Sequence, residues 1–305
     1  MLAVVLGAAA GGGFPQWNSN ADACRRARSG DPAAKPRTQA SAAVSADGAF
    51  WFLLNASPDL RQQIENTPAL QPHEGKRSSP IAGVVLTGGD VDAIAGLLVL
   101  REMQPLAIHS TQRIKSVLDA NPIFNVLADD VVERRTVALD RRVPLTDARG
   151  VASGLEIELF AVPGKVPLYL EAGKAPPIVE GEETVGVLVT DGAKRLYFIP
   201  GCARMTPELA RRLDGADVVL FDGTLWTDDE MIQAGIGKKT GQRMGHMSVS
   251  GPEGTMAAFA ALKIGRKVLI HINNSNPILL DDSPERATVT VSGWEVAYDG
   301  MEIGL

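Results

Sequence analysis

Short apolar runs alternate along the chain with helical periods and clusters of turn residues, the arrangement of a layered fold that mixes strands and helices. The runs predict strands over residues 2–7, 40–46, 49–55, 82–87, 105–109, 134–138, 153–162, 184–190, 195–199, 217–221, 267–271 and 289–299. Periodic segments, several preceded by a Ser, Thr, Asn or Asp cap, predict helices over 57–65, 92–102, 111–120, 122–127, 206–213, 227–234 and 251–261. Asp-Gly pairs in SADGAF (45–50) and TDGAKRL (190–196) sit between strand-like runs and read as hairpin turns. Each half of the chain thus begins with antiparallel strands and continues into strand-to-helix units. The expectation is one α/β (α+β) domain over residues 1–305, built from two similar halves, about 1–165 and 166–305, in helix, sheet, sheet, helix layers. The polar Pro/Gly stretch EAGKAPPIVEGEE would mark the boundary.

The chain has 305 residues, 45% of them hydrophobic, enough for a well-filled core. Its net charge of −6 and dispersed basic residues argue against nucleic acid as a partner. Two cysteines, Cys24 and Cys202, exclude a disulfide framework and fit a reducing compartment. The opening MLAVVLGAAA has no basic region before its apolar run and leads into GGGFPQW, so it reads as a first strand and a glycine loop rather than a signal peptide. No run reaches the roughly 18 apolar residues of a membrane span. These features together predict a soluble, cytoplasmic protein.

The chemistry concentrates at the ends of strands. In VVLTGGDVDAIAGLL, Asp90 and Asp92 stand two apart in a turn between a strand and a helix. They can act together as oxygen ligands of a hard cation, or one of them can simply cap the helix. Of the four histidines, His73 in a polar loop and His109 at a strand end read as structural. His246, in the glycine-rich GQRMGHMSVSGPEG, and His271, ending KVLIH before INNSNP, point to a polar cleft. Between them, YFIPGCARM and VVLFDGTLW each end in a glycine turn, one carrying Cys202 and the other Asp222. Cys202 is a soft-metal ligand or a small buried residue, and Asp222 a reactive group or an Asx turn. Asp228, Asp229 and Glu230 read as the acidic first turn of a helix. The loop GAAAGGGFPQW lacks the Lys-Ser/Thr of a phosphate cradle and instead suits close backbone approach near the cleft.

The turn after Thr87 resembles the metallo-β-lactamase signature T-H-x-H-x-D-H-x-x-G. Thr87, Asp92 and Gly96 match it, whereas Gly88, Asp90 and Ala93 replace its three histidines. PGCAR stands where that superfamily supplies a bridging aspartate, and His271 where its last metal-binding histidine lies. GHMS is similar to the Gly-His-Ser-Thr stretch of ribonuclease Z. Over the whole chain, GAAAGGGFPQWN, NASPDLRQQI, DGTLWTDDEM, GKKTGQRMGHMSVSGPEG, HINNSNPILLDDSPER and GWEVAYDGMEI resemble the pyrroloquinoline quinone (PQQ) biosynthesis protein B family. Members of that family commonly carry a structural zinc on Cys-x-Cys-x-x-Cys after QWN. Here Ser19, Ala21 and Cys24 occupy those places, and one thiolate cannot hold a tetrahedral zinc, so no structural zinc is expected. Whether the chain is a monomer or a homodimer stays open.

The resemblance implies a metallo-β-lactamase-like αββα sandwich and a cytoplasmic step in PQQ biosynthesis. The expected chemistry is hydroxylation, with dioxygen, of the tyrosine ring of a crosslinked Glu-Tyr precursor at a non-haem iron(II) centre. The alternative is a non-enzymatic carrier that moves PQQ or its precursor towards the periplasm. Gly88 and Ala93 remove two ligands that a two-metal hydrolase needs, so hydrolysis is the first reading to drop. Non-haem iron oxygenases use two histidines and a carboxylate, a trio that His246, His271 and Asp92 can supply, with Asp90 beside them and Cys202 as a further candidate. His246 can instead be the acid or base for the phenolic proton. Arg243, Asn273, Asn274 and Asn276 offer donors to a carboxylate-rich substrate.

Overall fold

The computed structural model describes residues 1–171 and 177–305. Its frame is two seven-stranded sheets packed face to face. The first holds β1 (Leu2–Gly7), β2 (Ser41–Ser45), β3 (Trp51–Leu54), β4 (Ile81–Val85), β5 (Leu106–Ser110) and β6 (Val132–Thr136). The second holds β7 (Arg142–Thr146), β8 (Ala152–Gly164), β9 (Val179–Thr190), β10 (Arg195–Ile199), β11 (Val218–Asp222), β12 (Arg266–Ile270) and β13 (Glu295–Val296). The last strand, β14 (Met301–Gly304), returns to the first sheet and pairs antiparallel with β1.

The internal likeness of the halves appears in the pairing. β1, β2 and β3 run antiparallel and β3 to β6 parallel; β7 to β10 run antiparallel and β10 to β13 parallel. Both Asp-Gly turns join antiparallel neighbours, β2 to β3 and β9 to β10. The chain changes sheets between β6 and β7, earlier than the expected division near 165. That division falls just after β8, inside the second sheet. The stretch taken as a long loop is in part the start of β9, and its residues 172–176 lie outside the described ones.

Side-chain alternation explains how the second sheet is covered on both faces. Leu196, Phe198, Val218, Leu220, Val268 and Ile270 join the core between the sheets; Tyr197, Ile199, Val219, Phe221 and Leu269 face a second core under the outer helices. Phe221, Phe259 and Trp294 close that outer core edge to face.

Two departures from the sequence reading have physical causes. A helix, Pro284–Val291, takes residues 289–291, the start of the strand expected over 289–299. The Ser283 hydroxyl accepts the Arg286 amide, Pro284 fills the first turn, and Thr288 and Thr290 donate back to the carbonyls of Pro284 and Arg286. With those hydroxyls satisfied and Val289 buried, β-branching no longer decides the conformation. The edge strand β7, which was not expected, carries Arg142 and Pro144 and lacks an apolar run; its counterpart β6, expected over 134–138, carries Arg134 and Arg135. Charge and proline are what an unpaired edge needs.

Candidate metal centre

The turn after β4 is built by its neighbours before its own acids act. Asn55, itself at φ 62, accepts the Thr87 amide at 2.9 Å and bonds the Thr87 hydroxyl at 2.8 Å. Gly88 bridges to Thr184 of β9, and the Val185 amide donates to Thr87 O at 2.9 Å, stitching the turn to the second sheet. Gly96 donates its amide to Ala56 O, and a Cβ there would clash with the Ser57 carbonyl, which accounts for glycine at that place in the motif. Asp90 stands at the start of the helix Val91–Ile94, yet its carboxylate makes no capping hydrogen bond. It lines the cleft together with Asp92.

The second sheet supplies the other wall. β11 ends in Asp222, fully buried, whose Oδ1 accepts the Thr224 amide at 3.0 Å and the Thr224 hydroxyl at 2.6 Å. Its Oδ2 accepts the Cys202 amide at 2.9 Å and lies 2.7 Å from His246 Nδ1. Thr240 caps the helix Gly241–Met244 and Gly245, at φ 94, turns the chain so that His246 follows at the cleft. His271 lies just beyond β12 at φ 58, a left-handed conformation that costs a non-glycine residue of order 1 kcal/mol. The Thr224 hydroxyl contacts its carbonyl at 3.0 Å and its Nδ1 at 2.8 Å, while Ile272 exchanges backbone bonds with Ala8 and Ala10 of the glycine loop. Those contacts hold the strained residue. The two imidazoles stack 5.2 Å apart and 20° from parallel.

Asp222, His246 and His271 each offer a ligand atom, and these atoms lie within 4.8 Å of one another. Asp92 Oδ2 stands 2.8 Å from His271 Nε2. Burial would raise Asp92, but the hydrogen bond and charge of His271 outweigh it and hold its carboxyl below the usual range. Burial likewise opposes charge on His271, yet Asp92, with Asp222 and Asp90, raises it above the ordinary imidazole. Asp90 is pushed up, first by burial and then by the charge of Asp92.

Four of the expected residues therefore meet: Asp90, Asp92, His246 and His271 all line one cleft, as do Gly88 and Ala93, which bring no ligand atom. The carboxylate in the compact trio is Asp222 rather than Asp92. Its sequence signal was the Asp-Gly at a strand end, which also reads as an Asx turn; the structure shows the turn bonds on Oδ1, with Oδ2 facing His246.

Other expected residues are engaged elsewhere. Cys202 is buried in the outer core with its thiol on Arg204 O at 3.1 Å, and burial pushes its pKa far up, so it stands outside the trio. Arg243 forms a two-pronged pair with Glu171 at 3.1 and 2.6 Å. Asn276 bonds Gly223 O and Ile278 N, Asn274 bonds Gln16, and Asn273 bonds Ser275; the three are buried and brace the turns behind the histidines. Cys24 is buried with its thiol 3.6 Å from Asn274 Oδ1, and the Ser19 hydroxyl accepts the Ala21 amide. His109 is buried in the first sheet and His73 is exposed.

Residues 50–272 match the model of the beta-lactamase superfamily domain, so the chain belongs to the metallo-β-lactamase superfamily. Coenzyme PQQ synthesis protein B from Gluconacetobacter diazotrophicus is 64% identical over 98% of both chains, and that from a Methylobacterium species 53% identical over the whole of both. A crystal structure of Zn(2+)-bound PqqB from Methylobacterium extorquens superposes with a TM-score of 0.96 at 52% identity, covering 100% of each chain. Within the superfamily, then, this chain is a member of the coenzyme PQQ synthesis protein B family, and its role lies in PQQ biosynthesis.

Proposed function

We propose that the protein hydroxylates, with dioxygen, the tyrosine-derived ring of the crosslinked Glu-Tyr precursor of PQQ, in the cytoplasm. The observation that carries this reading is the cluster of two imidazoles and one carboxylate, within 4.8 Å of one another, whose imidazoles, His246 and His271, line the cleft while the carboxylate, Asp222, is buried behind them. That donor set fits a first-row divalent ion, iron(II) or zinc(II), without a thiolate. Asp222, His246 and His271 would hold the ion, with Asp92 and Asp90 as the carboxylates beside it. Bound iron(II) supplies the capacity to bind and activate dioxygen, which no side chain has. Overall, one oxygen atom replaces a ring hydrogen as hydroxyl and the other leaves as water, which takes two protons and two electrons from an external small-molecule reductant.

The chain's own part is positional and electrostatic. Thr224 holds both histidines from one hydroxyl, 3.1 Å from His246 Nδ1 and 2.8 Å from His271 Nδ1. Asp92 faces the other nitrogen of His271, Nε2, which would be the nitrogen that takes the ion while Thr224 supports Nδ1. Asp222, without exposure, is held beside His246 by two amide donors. The alternative role for His246 is that of the base for the phenolic proton. Gly88 and Ala93, facing the cleft without ligand atoms, leave a two-metal hydrolase short of donors. The test is metal content of the purified protein followed by oxygen-dependent conversion of the crosslinked precursor. Iron-dependent conversion is expected. Stoichiometric binding of PQQ or precursor with no conversion after iron loading would establish a carrier instead.

A further inference from the structure

The cleft is electrostatically divided. Its lining carries the acids Asp90 and Asp92 and the cation Lys165, and beside Lys165 stands a second cation, Arg243, with which it shares one carboxylate. Lys165 follows β8 and lines the cleft; Arg243 sits three residues before His246. Glu171, only 7% exposed in its side chain, lies 3.1 Å from Lys165 Nζ and receives both prongs of the Arg243 guanidinium. The two cations and one acid leave one positive charge in excess, and neither cation has another acidic partner among the described residues. The two-pronged Arg243 contact is the geometry in which arginine holds a free carboxylate. Glu171 arrives on a strap, residues 166–171, that crosses to the Asp90 turn, where the Tyr169 hydroxyl donates to Gly89 O at 2.6 Å. The strap otherwise exposes Leu168, Tyr169 and Leu170.

We propose that Lys165 and Arg243 form the binding site for a carboxylate of the substrate, and that Glu171 fills this site in the free protein and is displaced on binding. The inference rests on the proposed reading that the ligand is a small polycarboxylate of the PQQ pathway, and names the residues that select it. Asp90 and Asp92 repel the ligand's carboxylates and the two cations hold them, so the ring is directed to the histidines and the carboxylates stay at the cations.

The test is equilibrium binding of PQQ, a tricarboxylic acid, and of its trimethyl ester to the full-length protein, followed by calorimetry. Wild type is expected to bind the acid and at least tenfold less of the ester. Glu171→Gln, which removes the internal competitor but keeps its shape, is expected to tighten the acid about tenfold, and Lys165→Met or Arg243→Gln to weaken it by at least about tenfold, the usual scale of a charge-assisted hydrogen bond. Tyr169→Phe frees the strap without touching a charge and is expected to leave affinity within about twofold. Equal binding of acid and ester, or unchanged or weaker binding in a folded Glu171→Gln, would overturn the proposal. So would a gain in Tyr169→Phe equal to that in Glu171→Gln, because it would assign the effect to strap mobility. Binding is read without turnover, so a failure of the hydroxylase reading leaves the acid-over-ester pattern standing, and the reverse holds too.

Discussion

Replacing His109 by leucine tests how this fold tolerates a buried polar ring. His109 lies in β5, 2% exposed, edge to face with Phe52 at 6.4 Å, and neither ring nitrogen has a hydrogen-bond partner among the described residues. Burial, then the charge of Arg135, pushes its pKa from 6.5 to about 4, against a smaller opposing effect of Glu133. The folded state therefore keeps the ring neutral while the unfolded chain takes up a proton below about pH 6.5, so stability is full above that pH and falls as pH drops towards 4. Linkage sets the loss at about 3 kcal/mol by pH 4, from 1.36 kcal/mol per pH unit over the interval. His109→Leu removes both the titration and two unsatisfied polar atoms, each costing about 1–3 kcal/mol when buried, less any strain from the branched side chain. Urea unfolding of both proteins at intervals from pH 7.5 to 4 measures the difference directly, since all other titrating groups cancel. The variant's advantage should grow by about 3 kcal/mol across that range. Parallel stability curves would refute the claim that His109 is neutral and buried in the native state.

Three further outcomes follow from single contacts. Gly96→Ala, whose new Cβ would clash with the Ser57 carbonyl, should lower stability by about 1–3 kcal/mol in urea unfolding, whereas Ala at the exposed Gly75 should not disturb packing in this way. Neither Cys24 nor Cys202, both fully buried, should react with a thiol reagent in the native protein, and two thiols should titrate after unfolding. His246→Ala separates its two candidate roles: loss of bound metal assigns it as a ligand, while retained metal with turnover reduced about 100-fold or more assigns it to proton transfer.

Much of the frame was legible because buried parallel strands leave near-continuous apolar runs. β4, β10, β11 and β12 are read from VVL, YFI, VVLF and VLI with errors of a residue or two. Of the two edges, β6 was read two residues late, at 134–138, and β7 was not legible, since it trades apolar residues for charge and proline. Nor was the helix Pro284–Val291, whose threonines look like a strand until their hydroxyls are seen to bond within the helix. At the site, strand-end position singled out Asp90, Asp92, His246 and His271. Choosing among carboxylates required the third dimension: Asp92 lies in the helix after β4 and Asp222 at the end of β11, and only the fold shows Asp222 against His246 and Asp92 against His271. Arg243 and the three asparagines read from sequence as donors to a substrate, whereas the fold gives Arg243 to Glu171 and Asn276 to the Gly223 carbonyl, partners remote along the chain.

The central claim is that Asp222, His246 and His271 hold the ion at which the precursor is hydroxylated. Its most direct measurement is single-turnover oxygen consumption by iron-loaded protein with the crosslinked Glu-Tyr precursor and reductant, comparing wild type with Asp222→Asn and His271→Ala after each variant is shown to be folded. Wild type should consume one dioxygen per precursor hydroxylated, and each variant should lose bound iron and fall by about 100-fold or more. Undiminished, stoichiometric oxygen consumption in folded Asp222→Asn and His271→Ala would contradict the account.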